Sequence, residues 1–171
     1  MQPFLFCERT VIDNAIWNST SIFVGIIVSS MSLSPTIWQR ITTNLALSLY
    51  GNHFWLLYDG DRLISFVDGF VTDDADLTDE MYENAAMHNE SGAWQMIFGV
   101  STLPAYRQHG YAGKLLQKAI ADAKEQGRKG LVLTSKSRLV HYYAKLGFAD
   151  EGVTDKSTHG NVSWHQMRLT F

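Results

Sequence analysis

A strand that runs directly through a glycine-bearing turn into a helix is the feature that most limits how this chain can fold. Trp94 to Thr102 has the apolar, β-prone character of a buried strand. The stretch YRQHGYAGKLL, Tyr106 to Leu116, follows it. From there Ala112, Leu115, Leu116, Ala119, Ile120 and Ala123 recur at i, i+3, i+4, the stripe of an amphipathic helix that Gly127 ends. Gly110 and Gly113 stand at the start of that helix. Glycine there lowers helix stability by roughly 1 kcal/mol relative to alanine, so it needs another reason. The first N–H groups of a helix have no partner inside it and mark its positive end. Glycine lets a phosphate reach them without meeting a Cβ atom. A tight turn with glycines for packing is the plainer alternative.

The remaining elements arrange themselves around this unit. His53 to Tyr58 and Leu63 to Phe70 are β-prone runs joined by Asp59-Gly60-Asp61, a hairpin sequence. Thr72 to Gly92 is a polar insert rich in carboxylates (Asp73, Asp74, Asp76, Asp79, Glu80, Glu83, Glu90), with a short helix expected from about Thr78 to His88. Gly130 to Thr134 reads as another buried strand, and Ser137 to Lys145 as a helix stopped by Gly147. Phe148 to Val153 and Val162 to Phe171 read as two final strands, the last alternating through Val162, Trp164, Gln166 and Arg168. Nearer the start, Phe4 to Val11 reads as a strand and Ser21 to Met31 as buried strand or irregular core. Thr36 to Leu49 reads as a helix capped by Ser34-Pro35. Helices between strands make an α/β class with a mixed sheet.

At 171 residues and 46% apolar content, the chain is expected to form one domain over residues 1–171. A net charge of −3 argues against a general nucleic-acid binder. Ser21 to Met31 is too short to span a membrane, and Met1 to Phe6 lacks the basic start of a signal peptide. The single cysteine, Cys7, cannot form an internal disulfide, which suits a reducing cytoplasm. The six histidines are scattered with none paired at i, i+4, so no metal motif is legible and no metal is expected.

The glycine turn is neither of two common nucleotide loops. Gly113-Lys114 is followed by Leu115 rather than a hydroxyl residue, and the G-x-G-x-x-G order is missing. It does fit R-x-x-G-x-A, as Arg107-Gln108-His109-Gly110-Tyr111-Ala112. That pattern resembles the pyrophosphate loop of the GNAT acetyltransferase superfamily. The preceding LPAYR and the downstream LTSKSRLVHYYAKLGF, Leu133 to Phe148, resemble the flanking family blocks in order and spacing. The resemblance runs from about Trp55 to Phe171, with residues 1–34 poorly matched. It looks closest to the serotonin N-acetyltransferase-like branch, through LVHYYAKLGF and the acidic insert.

The resemblance implies the GNAT acyl-CoA N-acyltransferase fold, with Phe98 to Thr102 splayed from Leu131 to Thr134. It implies acetyl-CoA as acyl donor, with pantetheine along Val100, Ser101 and Thr102. A backbone N–H there would stabilise the thioester oxyanion. The pyrophosphate would lie on the main chain of Arg107, Gln108, His109, Gly110, Tyr111, Ala112 and Gly113. Arg107 and Lys114 would add charge there, unless they are only solvated surface cations. Tyr143, four residues before Gly147-Phe148, would hydrogen-bond the leaving thiolate, the plainer alternative being a packed aromatic. Tyr142 lies about 100° around the helix and is expected to be core or surface.

The family relatives' strand histidines align with Met96 and Phe98, neither of which accepts a proton. A water chain, or Glu80 or Glu83 of the insert, could take that role, and the insert's carboxylates could attract a cationic amine. The leading expectation is acetyl transfer to a small amine by direct attack. A non-catalytic acyl-CoA-binding module and a protein or peptide N-acetyltransferase remain alternatives. A homodimer is compatible with the resemblance, although nothing in the sequence identifies an interface.

Overall fold

The computed structural model describes residues 50–158 and 162–171. The expectations for Phe4 to Val11, Ser21 to Met31 and Thr36 to Leu49, and the position of Cys7, lie outside the described residues. Among the described residues, six strands form one mixed sheet: β1 (Phe54–Asp59), β2 (Arg62–Thr72), β3 (Trp94–Thr102), β4 (Gly130–Lys136), β5 (Ala149–Thr154) and β6 (Trp164–Thr170). Their order across the sheet is β1-β2-β3-β4-β6-β5. Only β3 and β4 pair in parallel; every other neighbouring pair is antiparallel. The parallel step is made by the crossover helix α1 (Tyr111–Glu125). A shorter helix, α2 (Val140–Ala144), follows β4.

The β1–β2 hairpin closes through Asp59 opposite Arg62, with Gly60 at φ 57 supplying the left-handed turn. One sheet face packs on α1 through Leu57, Val67, Ile97, Leu131, Leu133 and Met167 against Leu115, Leu116, Ala119 and Ala123. Each buried leucine contributes roughly 1.5–3 kcal/mol there. The stripe admits one polar residue, Asp122, which accepts from Trp55 Nε1 at 2.8 Å and Lys118 Nζ at 2.6 Å.

The other face is covered by the acidic insert. Leu77 and Met81 are buried against Phe70, Met96 and Val132. The helix expected from Thr78 to His88 does not form; two 3-10 turns, Asp79–Tyr82 and Ala85–Met87, take its place. Asn84 explains the break: its side chain accepts from Ala86 N at 3.2 Å, offering that N–H a partner other than an α-helical carbonyl. The insert is then pinned to the far sheet edge. Asp76 bonds Lys156, Gln166 and Arg168, and Arg168 also bonds Glu151 and lies over the Trp94 ring. Ser137 to Lys145 is helical only in part: a 3-10 turn, Ser137–Leu139, precedes α2. Gly147 ends this segment at φ 97.

Candidate active site

The parallel pair β3–β4 is joined for only part of its length. Pairing runs from Trp94 opposite Gly130 to Ile97 opposite Leu133 and then stops. Yet β3 continues along β2 to Thr102, and β4 continues along β6 to Lys136. The two strands therefore part after Ile97 and Leu133. The cause is a β-bulge: Asp68 faces Gly99 while Gly69 faces Ile97, leaving Phe98 as the extra residue. Two glycines permit it. A Cβ on Gly69 would collide with the Met96 carbonyl, and one on Gly99 with the Asp68 carboxylate. Val100, Ser101 and Thr102 lie on the splayed half, with Ser65 Oγ 2.8 Å from both the Ser101 carbonyl and Thr102 Oγ1.

From Thr102 the chain turns through Pro104–Tyr106 into the loop before α1. Arg107 folds back and donates from Nε to the Thr102 carbonyl at 3.2 Å. Gln108 has φ 66, a left-handed conformation uncommon outside glycine, and Gly110 has φ 79 as the N-cap of α1. His109 Nδ1 donates to the Arg107 carbonyl at 2.7 Å, and its ring stacks on Tyr111. Lys114 is exposed, with its ammonium 5.7 Å from the Tyr111 ring centre. The Lys114 N–H is the first to bond within the helix, to Gly110 O, so those of Tyr111, Ala112 and Gly113 precede the α-helical ladder. Nothing stands within 4 Å of a Cβ built on Gly110, which leaves the backbone approachable.

Tyr143 is 7% exposed, packed edge-on against Tyr142 and Phe148. Burial, with smaller contributions from Tyr142 and Tyr82, pushes its phenol up to about 12. It is thus a proton donor at neutral pH. Full transfer to a thiolate near ~8.5 would be uphill by roughly 5 kcal/mol, so its chemistry is hydrogen bonding.

Two further tyrosines lie near these elements. Tyr142, expected to be core or surface, packs partly buried against the core, and its hydroxyl lies 3.5 Å from a Cβ built on Gly113, facing the start of α1. Burial raises its pKa too. Tyr82, in the insert, lies at the mouth of the splay: its hydroxyl is 3.3 Å from Thr134 Oγ1 and its ring centre 4.9 Å from that of Phe98. Thr134 and Phe98 are the first residues beyond the last paired positions. The insert's Glu80 and Glu83 are exposed, and Glu80 accepts from Asn84. Asp73, Asp74, Asp76, Asp79 and Glu90 also bond within the protein. Much of the insert's charge is thus engaged structurally. Met96 is fully buried and Phe98 half-buried.

One more cluster escaped the i, i+4 test for metal ligands, because its members are distant in sequence. His53 Nε2 lies 3.0 Å and His88 Nε2 3.3 Å from Glu90 Oε2, with Arg128 on the other carboxylate oxygen at 3.1 Å. The Val71 N–H donates to His88 Nδ1 at 3.2 Å. In the neutral ring the proton is then on Nε2, and no lone pair is left there for a metal. Burial and His53 lower the His88 pKa. Burial opposes ionisation of Glu90, but His53, His88 and Arg128 outweigh it and hold that carboxyl below its ordinary value.

A splayed parallel pair followed by a glycine loop and helix is the geometry that the sequence resemblance implied, and a profile of the acetyltransferase (GNAT) family matches residues 26–148. The chain belongs to the GNAT acetyltransferase family. It is therefore an acyltransferase with the acetyl-CoA-dependent chemistry of that family, which sets aside the reading as a non-catalytic binding module. Solved GNAT structures share the fold at low identity. The loading GNATL domain of CurA from Lyngbya majuscula has TM-score 0.66 and 12% identity over 99% of this chain and 98% of its own. The NatC complex bound to Gag peptide and CoA gives 0.65 and 12%, over 99% of each chain. The PaiA N-acetyltransferase from Thermoplasma acidophilum in complex with coenzyme A gives 0.59 and 12%, over 99% of this chain and 100% of that one. No curated protein matches the sequence significantly. None of these likenesses singles out the serotonin N-acetyltransferase branch. No helix among the described residues is long and apolar enough to cross a membrane.

Proposed function

We propose that this GNAT enzyme transfers acetyl from acetyl-CoA to the amino group of a small molecule by direct attack on the thioester. We take residues 1–171 to act as one catalytic domain. The observation that carries the reading is the splay after Ile97 and Leu133, with the Arg107–Gly113 loop at one end and Tyr143 nearby in the fold. Pantetheine would occupy the gap along Val100, Ser101 and Thr102, whose amides would stabilise the developing oxyanion. The N–H groups of Gln108 to Gly113 would hold the pyrophosphate, with Arg107 and Lys114 adding charge. Tyr143 would hydrogen-bond the departing thiolate. The amine would approach from the insert face, past Tyr82 and Phe98. Acetyl-CoA is the only cofactor in this scheme; it uses no metal, nucleic acid or membrane.

The serotonin-acetyltransferase-like LVHYYAKLGF block and the insert support a small, amine-bearing acceptor. A lone cysteine supports a cytoplasmic setting. The fold likeness to a peptide-bound NatC complex keeps peptide amines as the second acceptor class. Thiol release from acetyl-CoA, measured against matched panels of arylalkylamines, polyamines and peptides, tests the reading. Turnover confined to small amines supports it, and turnover confined to peptides replaces it.

A further inference from the structure

Just past the splayed end of β4, a serine, a histidine on β6 and an aspartate on β5 come together, and the acetyl-transfer reading does not use them. Ser137 follows β4 immediately, at the start of the 3-10 turn before α2. His165 lies on β6, directly opposite Ser135 of β4. Asp150 lies on β5, the next strand out. His165 Nε2 is 3.1 Å from Ser137 Oγ. On the other side of the ring, Nδ1 is 3.0 and 3.1 Å from the two carboxylate oxygens of Asp150.

The order of contacts fixes the protons. A carboxylate only accepts, so Nδ1 carries the ring hydrogen and donates to Asp150. Nε2 then has a lone pair and accepts from the Ser137 hydroxyl. This is the tautomer a general base needs beside a serine nucleophile. The aspartate is also held in place. A bulge in β5 between Asp150 and Val153 breaks the register with β6. Gly152, at φ 92 within that bulge, donates its N–H to Asp150 Oδ1 at 2.9 Å. Bulges re-aim side chains, and this one directs a carboxylate at His165. Ser137 and Asp150 are exposed and His165 is partly so, leaving the hydroxyl open to solvent.

We propose that Ser137, His165 and Asp150 form a second, surface acyl-transfer site that takes small activated carboxylic esters. Ser137 Oγ attacks the acyl carbon, and its proton passes to His165 Nε2. The bond to the leaving oxygen breaks, and that oxygen takes the proton from His165, giving the free alcohol and acyl-Ser137. Water then attacks the same carbon, with His165 accepting its proton and returning it to Ser137 Oγ. The products are the carboxylic acid and the regenerated serine, with no redox partner.

The test uses the full chain and p-nitrophenyl acetate. An open site without preorganised oxyanion donors forgoes roughly 10²–10³ in rate, so covalent acetylation of the serine is the sensitive readout. Peptide mass mapping should find acetyl on Ser137, and Ser137→Ala should abolish that modified peptide. Both His165→Gln and Asp150→Asn should slow its formation tenfold or more, with folding monitored by circular dichroism. Two variants are used so that one misfolded protein leaves the other decisive. Absence of acetyl-Ser137, or a rate changed less than tenfold in a folded variant, overturns the proposal. Acetylation of amines from acetyl-CoA is assayed separately, so failure of this site is distinguishable from failure of the transferase reading.

Discussion

From Trp94 to Ile97, β3 pairs with β2 on one edge and β4 on the other. From Gly99 to Thr102 it pairs, among the described residues, with β2 alone. The first half buries Met96 and Ile97 in the two apolar layers on opposite sides of the sheet. The second half has half-buried residues at Phe98, Val100, Ser101 and Thr102 and an edge not joined to its parallel neighbour. The difference originates in one extra residue, Phe98, flanked by Gly99 on its own strand and Gly69 on the facing one. A strand that holds a core together can thus become, within one residue, a strand with an edge open for the ligand proposed above.

The comparison is broken most severely at the bulge itself. Gly69→Ala puts a methyl into the Met96 carbonyl, and neither is the end of a flexible side chain. We expect a loss on the order of 3 kcal/mol or more, read from the denaturant midpoint. A variant as stable as the parent would show that the bulge does not depend on Gly69.

Tyr143→Phe tests the proposed ligand-receiving half without touching the fold. It keeps the ring against Tyr142 and Phe148. Single-turnover acetyl transfer should slow about ten- to a thousand-fold, for a lost transition-state hydrogen bond of roughly 1.4–4 kcal/mol. Because burial raises this phenol to about 12, its titration should add no inflection to the rate profile near neutral pH. An unchanged chemical step leaves Tyr143 a packing residue.

Gly110→Val acts at the far end of the same half. Space is open there, but a β-branched residue at φ 79 is strained, at a cost of roughly 1–3 kcal/mol. Relaxation of the loop should weaken CoA binding about tenfold by calorimetry. Unchanged affinity would make the loop only a turn.

The smallest effect concerns the pin between the insert and the far sheet edge. Lys156, then Gln166 and Arg168, lower the Asp76 pKa; Arg168, then Gln166, lower that of Glu151. Carboxyls lowered in the folded state contribute stability above their unfolded values of about 4. That contribution is lost as pH falls through the lower folded values. Denaturant midpoints should therefore drop below about pH 4, and less steeply in Arg168→Ala. Equal slopes would mean that the pin adds nothing.

Local signals made much of the scaffold legible. The Asp59–Asp61 turn, the stripe from Leu115 to Ala123 and the alternation through Trp164, Gln166 and Arg168 each follow from the period of one element. The insert was misread because Asn84 diverts an N–H that a helix would have used. Among candidate site residues, the loop from Arg107 to Lys114 could be delimited because it is contiguous, and the pyrophosphate role proposed for it comes from the resemblance. Tyr82 was not legible, since only the folding of the insert over Phe98 and Thr134 brings it there. The nearness of Tyr142 to Gly113 was not legible either, because helix periodicity says which way it points relative to Tyr143, but not what lies in that direction.

By itself the sequence determined the alternation of strands and helices, the glycine turn before α1 and the family motif that turn carries. These depend on residues within a few positions of one another, where backbone geometry and side-chain period suffice. Tertiary structure alone decided where β3 leaves β4, the burial that raises the Tyr143 phenol, the meeting of His53 and His88 on Glu90, and the alignment of Ser137, His165 and Asp150. Each depends on strand register or on chain segments brought together from afar, and a shift of one residue in pairing would send the side chains to opposite faces.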